Sequence, residues 1–353
     1  MKGAKVKKKL HIDAENPIIT ECWNFCRLAV ALSENNMKWY VEKFWDINIY
    51  DGFIAFYYEV DLDNRAMPDY DEVLKTESLI YKNDIISQVE ETLDRGGYPI
   101  IFIHNEKVLL KDHEILIYGY DNKKERVYCM VYVGQPIYWK KAEYSYEELK
   151  RYFKEELDIL KEDDDMFLYY KEFGYPALAV FRKEMSDRKI NLISIYKIIL
   201  KMLYSGYKGA TGVKLYHSED QRWVEIHRGI EIYKMYYESL PEQLCKDKKY
   251  LEKNYNVIKS IYKICESKKN IRKKITYLID KNYIPDVSDL ICQLNLLCKY
   301  LTNARLLLEK YQISGEEKVI RKMANNMQIA EIIDKSFMEQ FAQILKREIK
   351  KEI

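Results

Sequence analysis

Three apolar segments in close succession constrain the fold of this chain more than its other features do. The first two read "YPIIFIHNE" and "HEILIYGY", and the second leads through "DNKK" into a third, "ERVYCMVYV". Their β-branched and aromatic residues predict strands, and the polar turn predicts that the second and third form a hairpin. An antiparallel arrangement is therefore expected in the first half of the chain.

Helical patterns surround these strands. Ahead of them we expect a helix through "CRLAVALSENNMKWYVEKFW", a strand-like segment at "DGFIAFYYEVD" and a polar helix at "NDIISQVEETLDRGG". After them, "SYEELKRYFKEELDILKE" begins with a serine followed three residues later by a glutamate, which is the capping box of a helix start. The first part of the chain is thus expected to be an α+β domain.

Beyond "EDDDMFLYYKEFGYP" the apolar residues recur every three to four positions, as they do in helices. The expected helices are "NLISIYKIILKMLYSGY", "WVEIHRGIEIYKMYYESL", "LEKNYNVIKSIYKICESKKN", "VSDLICQLNLLCKYLTNARLLLEKYQ" and "NNMQIAEIIDKSFMEQFAQILKREIKKE". A chain of 353 residues is also too long for one ordinary core. We therefore predict an α+β domain over residues 1–160 and an all-α helical domain over residues 161–353.

Composition excludes several classes of function. The 58 basic and 56 acidic residues leave a net charge of +2, which gives no general attraction to nucleic acid. We expect no membrane span and no secretory signal, and the seven scattered cysteines fit reduced thiols in the cytoplasm. The five histidines form neither an HExxH motif nor a pairing with cysteine, so no metal site is expected, and no cofactor is expected either.

Two cysteines lie four residues apart in "NPIITECWNFCRLAV". Cys22 stands where "ITEC" passes into a helical pattern, and the N-terminus of a helix stabilises a thiolate through its N–H groups and dipole. Cys26 falls one turn inside, on the buried side. The pattern favours Cys22 as a nucleophile and Cys26 as core packing.

A cysteine nucleophile needs a base, and His113 is the candidate. It begins the apolar segment "HEILIYGY", which places it at a strand end rather than in a solvated loop. His104 follows a strand as well but leads into a polar turn. His11, His217 and His227 lie in polar or helical surroundings, and we expect no catalytic role for them.

The helix-start cysteine, followed about 90 residues later by "GGYPIIFIHNE" and "HEILIYGYD", resembles the C39-type papain-like cysteine proteases. Within that fold the chain resembles the acyltransferase subfamily of butirosin biosynthesis, which moves an acyl group from a carrier protein to an amine. Related protease homologues form amide bonds in thioamide-antibiotic assembly. The resemblance covers residues 10 to 155, and it implies a papain-like N-terminal domain.

The resemblance assigns roles to individual residues. Cys22 takes the nucleophile position and His113 the base position. Asn16 stands where the family has a glutamine whose amide helps to bind the oxyanion, and Trp23 stands where the family has a glycine.

The family's third residue is an aspartate that orients the histidine. Asp121 lies eight residues from His113 along one strand, roughly 26 Å at the usual rise, which is too far. If "DNKK" is the turn, Tyr120 pairs with Glu125 and His113 lies opposite Tyr132. The orienting group should then come from Tyr132 to Gln135, and Gln135, which precedes a proline as the family's aspartate does, is the best candidate.

These assignments imply a cysteine-dependent acyltransferase that forms an amide in the biosynthesis of secondary metabolites. Its expected partners are an acyl or peptidyl carrier protein with a phosphopantetheine-bound acyl group and a small-molecule amine, with neither nucleic acid nor membrane. The basic segments "KKNIRKK" and "KREIKKE" are either docking sites for an acidic carrier or solvated helix faces. A cysteine peptidase or amidase of the same fold and a catalytically degenerate binding protein remain alternatives.

Overall fold

A computed structural model describes residues 6–16, 18–32, 36–50, 53–56, 68–79, 84–105, 112–133, 138–162, 176–183, 185, 188–204, 207–214, 221–254 and 256–352. The chain divides into two compact units. The first, here the sheet unit, comprises Met1–Met37 and Arg65–Asp187, and the second, the helical unit, comprises Lys38–Asn64 and Arg188–Ile353. These limits differ from the single boundary expected after residue 160, because Lys38–Asn64 lies with the helices.

The strands are β1 (Lys7–Lys9), β2 (Asn48–Tyr50), β3 (Ile54–Phe56), β4 (Leu74–Ser78), β5 (Tyr98–His104), β6 (Asp112–Asp121), β7 (Arg126–Val133), β8 (Tyr138–Ser145), β9 (Ala177–Arg182), β10 (Tyr207–Lys214) and β11 (Gln221–Arg228). The helices are α1 (Cys22–Ala31), α2 (Met37–Glu42), α3 (Ile85–Asp94), α4 (Tyr146–Glu162), α5 (Leu192–Tyr204), α6 (Ile232–Lys234), α7 (Leu240–Lys246), α8 (Tyr250–Lys253), α9 (Asn256–Asp280), α10 (Ser288–Ser314) and α11 (Glu317–Glu352). A π-helical turn, Met235–Ser239, joins α6 to α7.

The sheet unit is built on a seven-stranded sheet with the order β4-β9-β5-β6-β7-β8, and β1 pairs with β6. Its pairings are antiparallel. The three strands predicted from the apolar segments are confirmed as β5, β6 and β7. The predicted register of the hairpin is wrong: Tyr120 pairs with Val127, and Asp121 pairs with Arg126.

The register differs for two local reasons. The turn occupies residues 122–125, one position later than predicted. The ladder also shifts between Ile117 and Gly119. Gly119 is required where it stands, because a Cβ there would lie 2.6 Å from the carbonyl oxygen of Lys8 in β1.

Helices α3 and α4 pack on the sheet through one apolar core. Val89 and Leu93 of α3 and Leu149 and Phe153 of α4 belong to it, with Ile115 among the strand residues. The predicted capping box is confirmed at the start of α4. The Ser145 N–H donates to Glu148 Oε2 at 2.9 Å, and the Glu148 N–H donates to Ser145 Oγ at 3.1 Å.

Helix α1 is the most enclosed helix of the sheet unit. Its residues from Asn24 to Ala31 are all buried, and it packs against β6 and β9. The single helix expected from residue 22 onward is divided, because Leu32 adopts an extended conformation (φ −66°, ψ 116°) that ends α1, and α2 begins at Met37. The nucleophile candidate is the first residue of α1.

The helical unit is mainly helical, but the prediction of an all-α domain is wrong, because the unit also contains a small sheet. The segment beginning "WVEIHR", expected to be helical, belongs to β11, which pairs with β10 and β2 in a four-stranded sheet. Val224 and Ile226 are β-branched residues, which favour a strand, and β2 supplies an edge with which this segment pairs. The longer helices of the C-terminal region are confirmed, so the chain is α+β with an antiparallel sheet and a helical C-terminal region.

The segment "KKNIRKK" is partly buried, so it forms neither a continuous docking face nor a continuous solvated face. Lys268 is buried with its Nζ 2.6 Å from Asp334 Oδ2, and Lys274 is buried as well. By contrast, Lys346 and Lys350 in "KREIKKE" are exposed. Among the residues that the structure describes, no helix combines the length and apolar character needed to span a bilayer.

Candidate active site

The structure brings Cys22 and His113 into direct contact. Cys22 Sγ lies 2.7 Å from His113 Nε2, although the two residues are 91 positions apart. Both side chains are half-buried. A thiol and an imidazole at this distance can exchange a proton, which is the arrangement that activates a cysteine nucleophile.

Cys22 owes its position to the start of α1. Glu21 precedes it with an extended backbone (φ −126°, ψ 113°), so Cys22 is the first helical residue. The first N–H groups of a helix have no acceptor within the helix and, with the dipole, favour negative charge. A thiolate at Cys22 therefore lies where the backbone stabilises it.

The second ring nitrogen of His113 also has a partner. Nδ1 lies 2.9 Å from the main-chain carbonyl oxygen of Glu114. Since a carbonyl only accepts, this bond places the ring hydrogen on Nδ1 and leaves Nε2 as an acceptor towards Cys22. His113 is thus held in the tautomer that a general base needs.

Aromatic rings fix the plane of the imidazole. Tyr132 stacks on His113 with ring centroids 4.7 Å apart and an interplanar angle of 8°. Trp139 meets His113 edge-on at 5.6 Å and stacks on Phe25 of α1 at 4.0 Å. The Trp139 indole N–H donates to the carbonyl of Ile19 at 3.1 Å, which ties β8 to the segment before the nucleophile.

Sequence reasoning did not identify these supporting residues. Tyr132 appeared only as the expected neighbour of His113 across the hairpin, and Trp139 carried no signal because two of its partners, Ile19 and Phe25, lie more than 100 positions away. Glu114 contributes its main chain, which no side-chain pattern reveals.

Three buried, hydrogen-bonded side chains support the residue that precedes the start of α1. Asn24 Nδ2 donates to the carboxylate of Glu21, and the Tyr70 hydroxyl donates to Asn24 Oδ1 at 2.7 Å. All three residues are buried. They hold the residue before Cys22 in place. The sequence did not indicate this group, because Tyr70 lies 46 positions from Asn24 and the three residues form no recognisable motif.

Cys26 lies in the core, as the sequence predicted, whereas Cys22 is half-buried. It is fully buried. Burial raises the pKa of the Cys26 thiol well above its ordinary value, with a further increase from the neighbouring Glu114. Cys26 is therefore a neutral thiol in the core.

Asn16 is buried and makes two hydrogen bonds. Its Nδ2 donates to the carbonyl of Phe25 at 3.0 Å, and its Oδ1 accepts from the N–H of Ile18 at 3.0 Å. The first bond joins the segment before the helix to α1, and the second lies within that segment. One Nδ2 hydrogen is committed in this way, so the oxyanion role predicted for Asn16 rests on the second.

Three other residues considered in the sequence analysis remain to be located. Gln135 lies outside the described residues. Asp121, excluded as an orienting group on distance, has its carboxylate 3.5 Å from Lys7 Nζ, at the end of β6 away from His113. Trp23 is half-buried, and its main-chain carbonyl accepts from Arg27 at 3.2 Å.

Comparison with known proteins adds no family to this geometry. No protein-family model matches the chain, and no curated protein matches it. The site is accordingly described by its own atoms: a helix-start thiol, an imidazole of defined tautomer and an aromatic enclosure.

Proposed function

We propose that the chain is a cysteine-dependent acyltransferase that forms an amide bond, with Cys22 as nucleophile and His113 as general base. The observation that carries the proposal is the 2.7 Å contact between Cys22 Sγ and His113 Nε2 at the first turn of α1. The resemblance to C39-type papain-like acyltransferases supports the choice of reaction.

The first half of the reaction forms an acyl-enzyme. His113 Nε2 takes the thiol proton as Cys22 Sγ attacks the carbonyl carbon of a thioester on a carrier's phosphopantetheine arm. The negative charge of the tetrahedral intermediate falls near the N–H groups that open α1, with the second Nδ2 hydrogen of Asn16 as a further donor. The C–S bond to the carrier breaks, and the departing thiolate takes the proton from His113.

The second half transfers the acyl group. An amine attacks the acyl-Cys22 carbonyl, His113 Nε2 accepts a proton from the amine nitrogen, and the C–S bond to Cys22 breaks. The thiolate is then reprotonated from His113, and an amide leaves. Throughout, the Nδ1–H bond to the Glu114 carbonyl orients the ring, although a neutral acceptor stabilises imidazolium less than a carboxylate does.

The aromatic enclosure favours transfer over hydrolysis. A transferase has to keep water from the acyl-enzyme, and the rings of Tyr132 and Trp139 against the imidazole surround it with apolar surface on which water is poorly held, while Nε2 faces Cys22. For the carrier, the exposed cations of "KREIKKE" in α11 offer positive charge to an acidic protein surface.

Intact-protein mass spectrometry tests the proposal. The full chain is incubated with an acyl-pantetheine thioester, and we expect a mass increase of one acyl group, located at Cys22 by peptide mapping and discharged as an amide when an amine is added. Cys22→Ala should abolish the adduct. Cys292→Ala, which removes an exposed thiol elsewhere, should leave it unchanged.

The alternatives give different results in the same experiment. A peptidase or amidase would release the free acid at the same rate with and without the amine. A degenerate binding protein would show no adduct on Cys22. Either result would contradict the proposed transfer.

A further inference from the structure

A second group of titratable residues lies in the sheet unit, apart from the contacts of Cys22. His104 is the last residue of β5, Asp112 is the first residue of β6, and the two are paired in the ladder. His104 Nδ1 lies 2.5 Å from Asp112 Oδ1. Glu156 of α4 completes the group, and one ligand atom from each residue lies within 4.8 Å of the others.

Glu156 is the unusual member. Only 2% of its surface is exposed, and its Oε2 has no hydrogen-bond partner among the residues that the structure describes. A buried carboxylate oxygen without a donor is costly, because the charge has left water without compensation.

The neighbouring charges add to that cost. Burial, followed by the negative charge of the adjacent Asp112 and its hydrogen bond with Glu156, raises the pKa of the Glu156 carboxyl to about 7, while His104 opposes the change. Two carboxyl groups in contact need either a shared proton or a cation between them. Arg151 also lines the adjoining space, but it pairs with Glu155 and lies over the ring of Tyr152.

We propose that His104, Asp112 and Glu156 bind a divalent transition-metal ion of the Zn²⁺ class. One imidazole nitrogen and two carboxylate oxygens are donors that such ions take in proteins. Ligand bonds of about 2.0–2.2 Å place the ligand atoms of a tetrahedral ion roughly 3.4 Å apart, so His104 Nδ1 and Asp112 Oδ1 would have to separate slightly, and the half-exposed Asp112 side chain can supply that movement. An adjoining cavity of about 570 Å³ bordered by His104 admits the water that completes the coordination.

The ion would join the end of β5, the start of β6 and the middle of α4. Because Asp112 directly precedes His113, the ion would also hold the strand end from which the imidazole extends. Sequence spacing did not reveal the group, since its three residues come from three elements and form no short motif. The inference does not depend on the proposed function.

Spectroscopic titration of the full chain with Co²⁺, a probe for Zn²⁺ sites, tests it. We expect visible d–d bands at one Co²⁺ per chain without a thiolate charge-transfer band, displacement by Zn²⁺, and a Zn²⁺-dependent rise in Tm. Glu156→Gln keeps the side-chain shape and should weaken binding by more than about tenfold. His104→Gln should do the same and serves if the first variant fails to fold.

Two controls locate the binding. Asp158→Asn removes an exposed carboxylate beside the same cavity and should leave the affinity unchanged. Cys22→Ala should also leave it unchanged, because no thiolate takes part. The absence of binding to the wild-type chain, or binding that survives Glu156→Gln and His104→Gln but is lost in Cys22→Ala, would overturn the proposal.

Discussion

At the scale of single residues, position decides the chemistry of two thiols one helical turn apart. Cys22 begins α1 with an imidazole in contact, and Cys26 lies fully buried beside Glu114. The helix-start pattern and the strand-end histidine were enough to predict that Cys22 and His113 belong together. They lie in contact in the folded chain.

Asn16 allows its structural and catalytic contributions to be separated. Asn16→Ala removes two buried hydrogen bonds, so we expect the free energy of unfolding to fall by about 1–3 kcal/mol. Urea unfolding at neutral pH measures this. An unchanged midpoint would mean that these bonds do not hold the segment to α1.

Asn16→Asp is the matched variant for the oxyanion. It keeps the acceptor for Ile18 but removes both Nδ2 hydrogens, including the one donated to the Phe25 carbonyl, and adds negative charge, so acylation of Cys22 should slow by about 100-fold or more. Single-turnover acylation followed by mass spectrometry measures the rate. A loss of stability with unchanged acylation would assign Asn16 to structure alone.

What orients His113 was not predictable from side chains. The Nδ1 partner in the structure is a main-chain carbonyl, which any residue at position 114 would supply. The stacking of Tyr132 depends on the hairpin register, which the sequence analysis placed incorrectly. Reasoning from side-chain types therefore predicted the pairing of Cys22 with His113 but neither the Glu114 carbonyl nor the stacking of Tyr132, and the predicted orienting residue Gln135 lies outside the described residues.

At the scale of elements, local signals predicted helix starts and strands better than their pairing. The capping box before α4 and the apolar segments of β5, β6 and β7 are short-range features, and they formed as expected. The ladder shift between Ile117 and Gly119 lies beside the residues of β6 that pair with β1, a strand more than 100 residues away in sequence. Such long-range contacts leave little trace in a local pattern.

The capping box can be tested directly. Ser145→Ala removes the acceptor of the Glu148 N–H, and we expect the free energy of unfolding to fall by about 1 kcal/mol. Ser145→Thr keeps the hydroxyl and should lie closer to the wild type. Thermal unfolding followed by circular dichroism gives the comparison, and equal losses in both variants would argue against a capping role.

At the scale of the whole molecule, the helical unit includes a segment from early in the chain. Lys263 Nζ donates to the carbonyl of Ala55 at 2.5 Å, and Lys274 Nζ donates to the carbonyl of Phe44 at 2.8 Å. Trp45 also stacks on Phe341 at 5.7 Å. The composition shift along the sequence indicated one boundary, whereas these contacts assign residues 38–64 to the second unit.

Lys274 makes this arrangement sensitive to pH. Burial lowers the pKa of its ammonium well below the ordinary value. A lowered folded-state pKa contributes stability that is complete above the unfolded pKa of about 10.4 and is lost as pH falls towards the folded value. Wild-type stability should therefore gain from this group as pH rises from neutral.

Lys274→Met removes that dependence. The free energy of unfolding of the variant minus that of the wild type should decline steadily between pH 7 and about pH 10, because only the wild type gains stability from position 274 as pH rises. Urea unfolding at intervals across this range measures the difference. Lys273→Met, at the exposed neighbouring position, should show no such trend. A constant difference for Lys274→Met would mean that Lys274 titrates alike in the folded and unfolded chain.

The central claim is that Cys22 is an activated nucleophile, and competitive alkylation tests it most directly. With limiting iodoacetamide at neutral pH, accessibility alone favours the exposed Cys245 and Cys292 over the half-buried Cys22. We predict that Cys22 reacts fastest in the wild type and loses this advantage in His113→Ala. Labelling of Cys22 no faster than that of Cys245 and Cys292 would contradict the account.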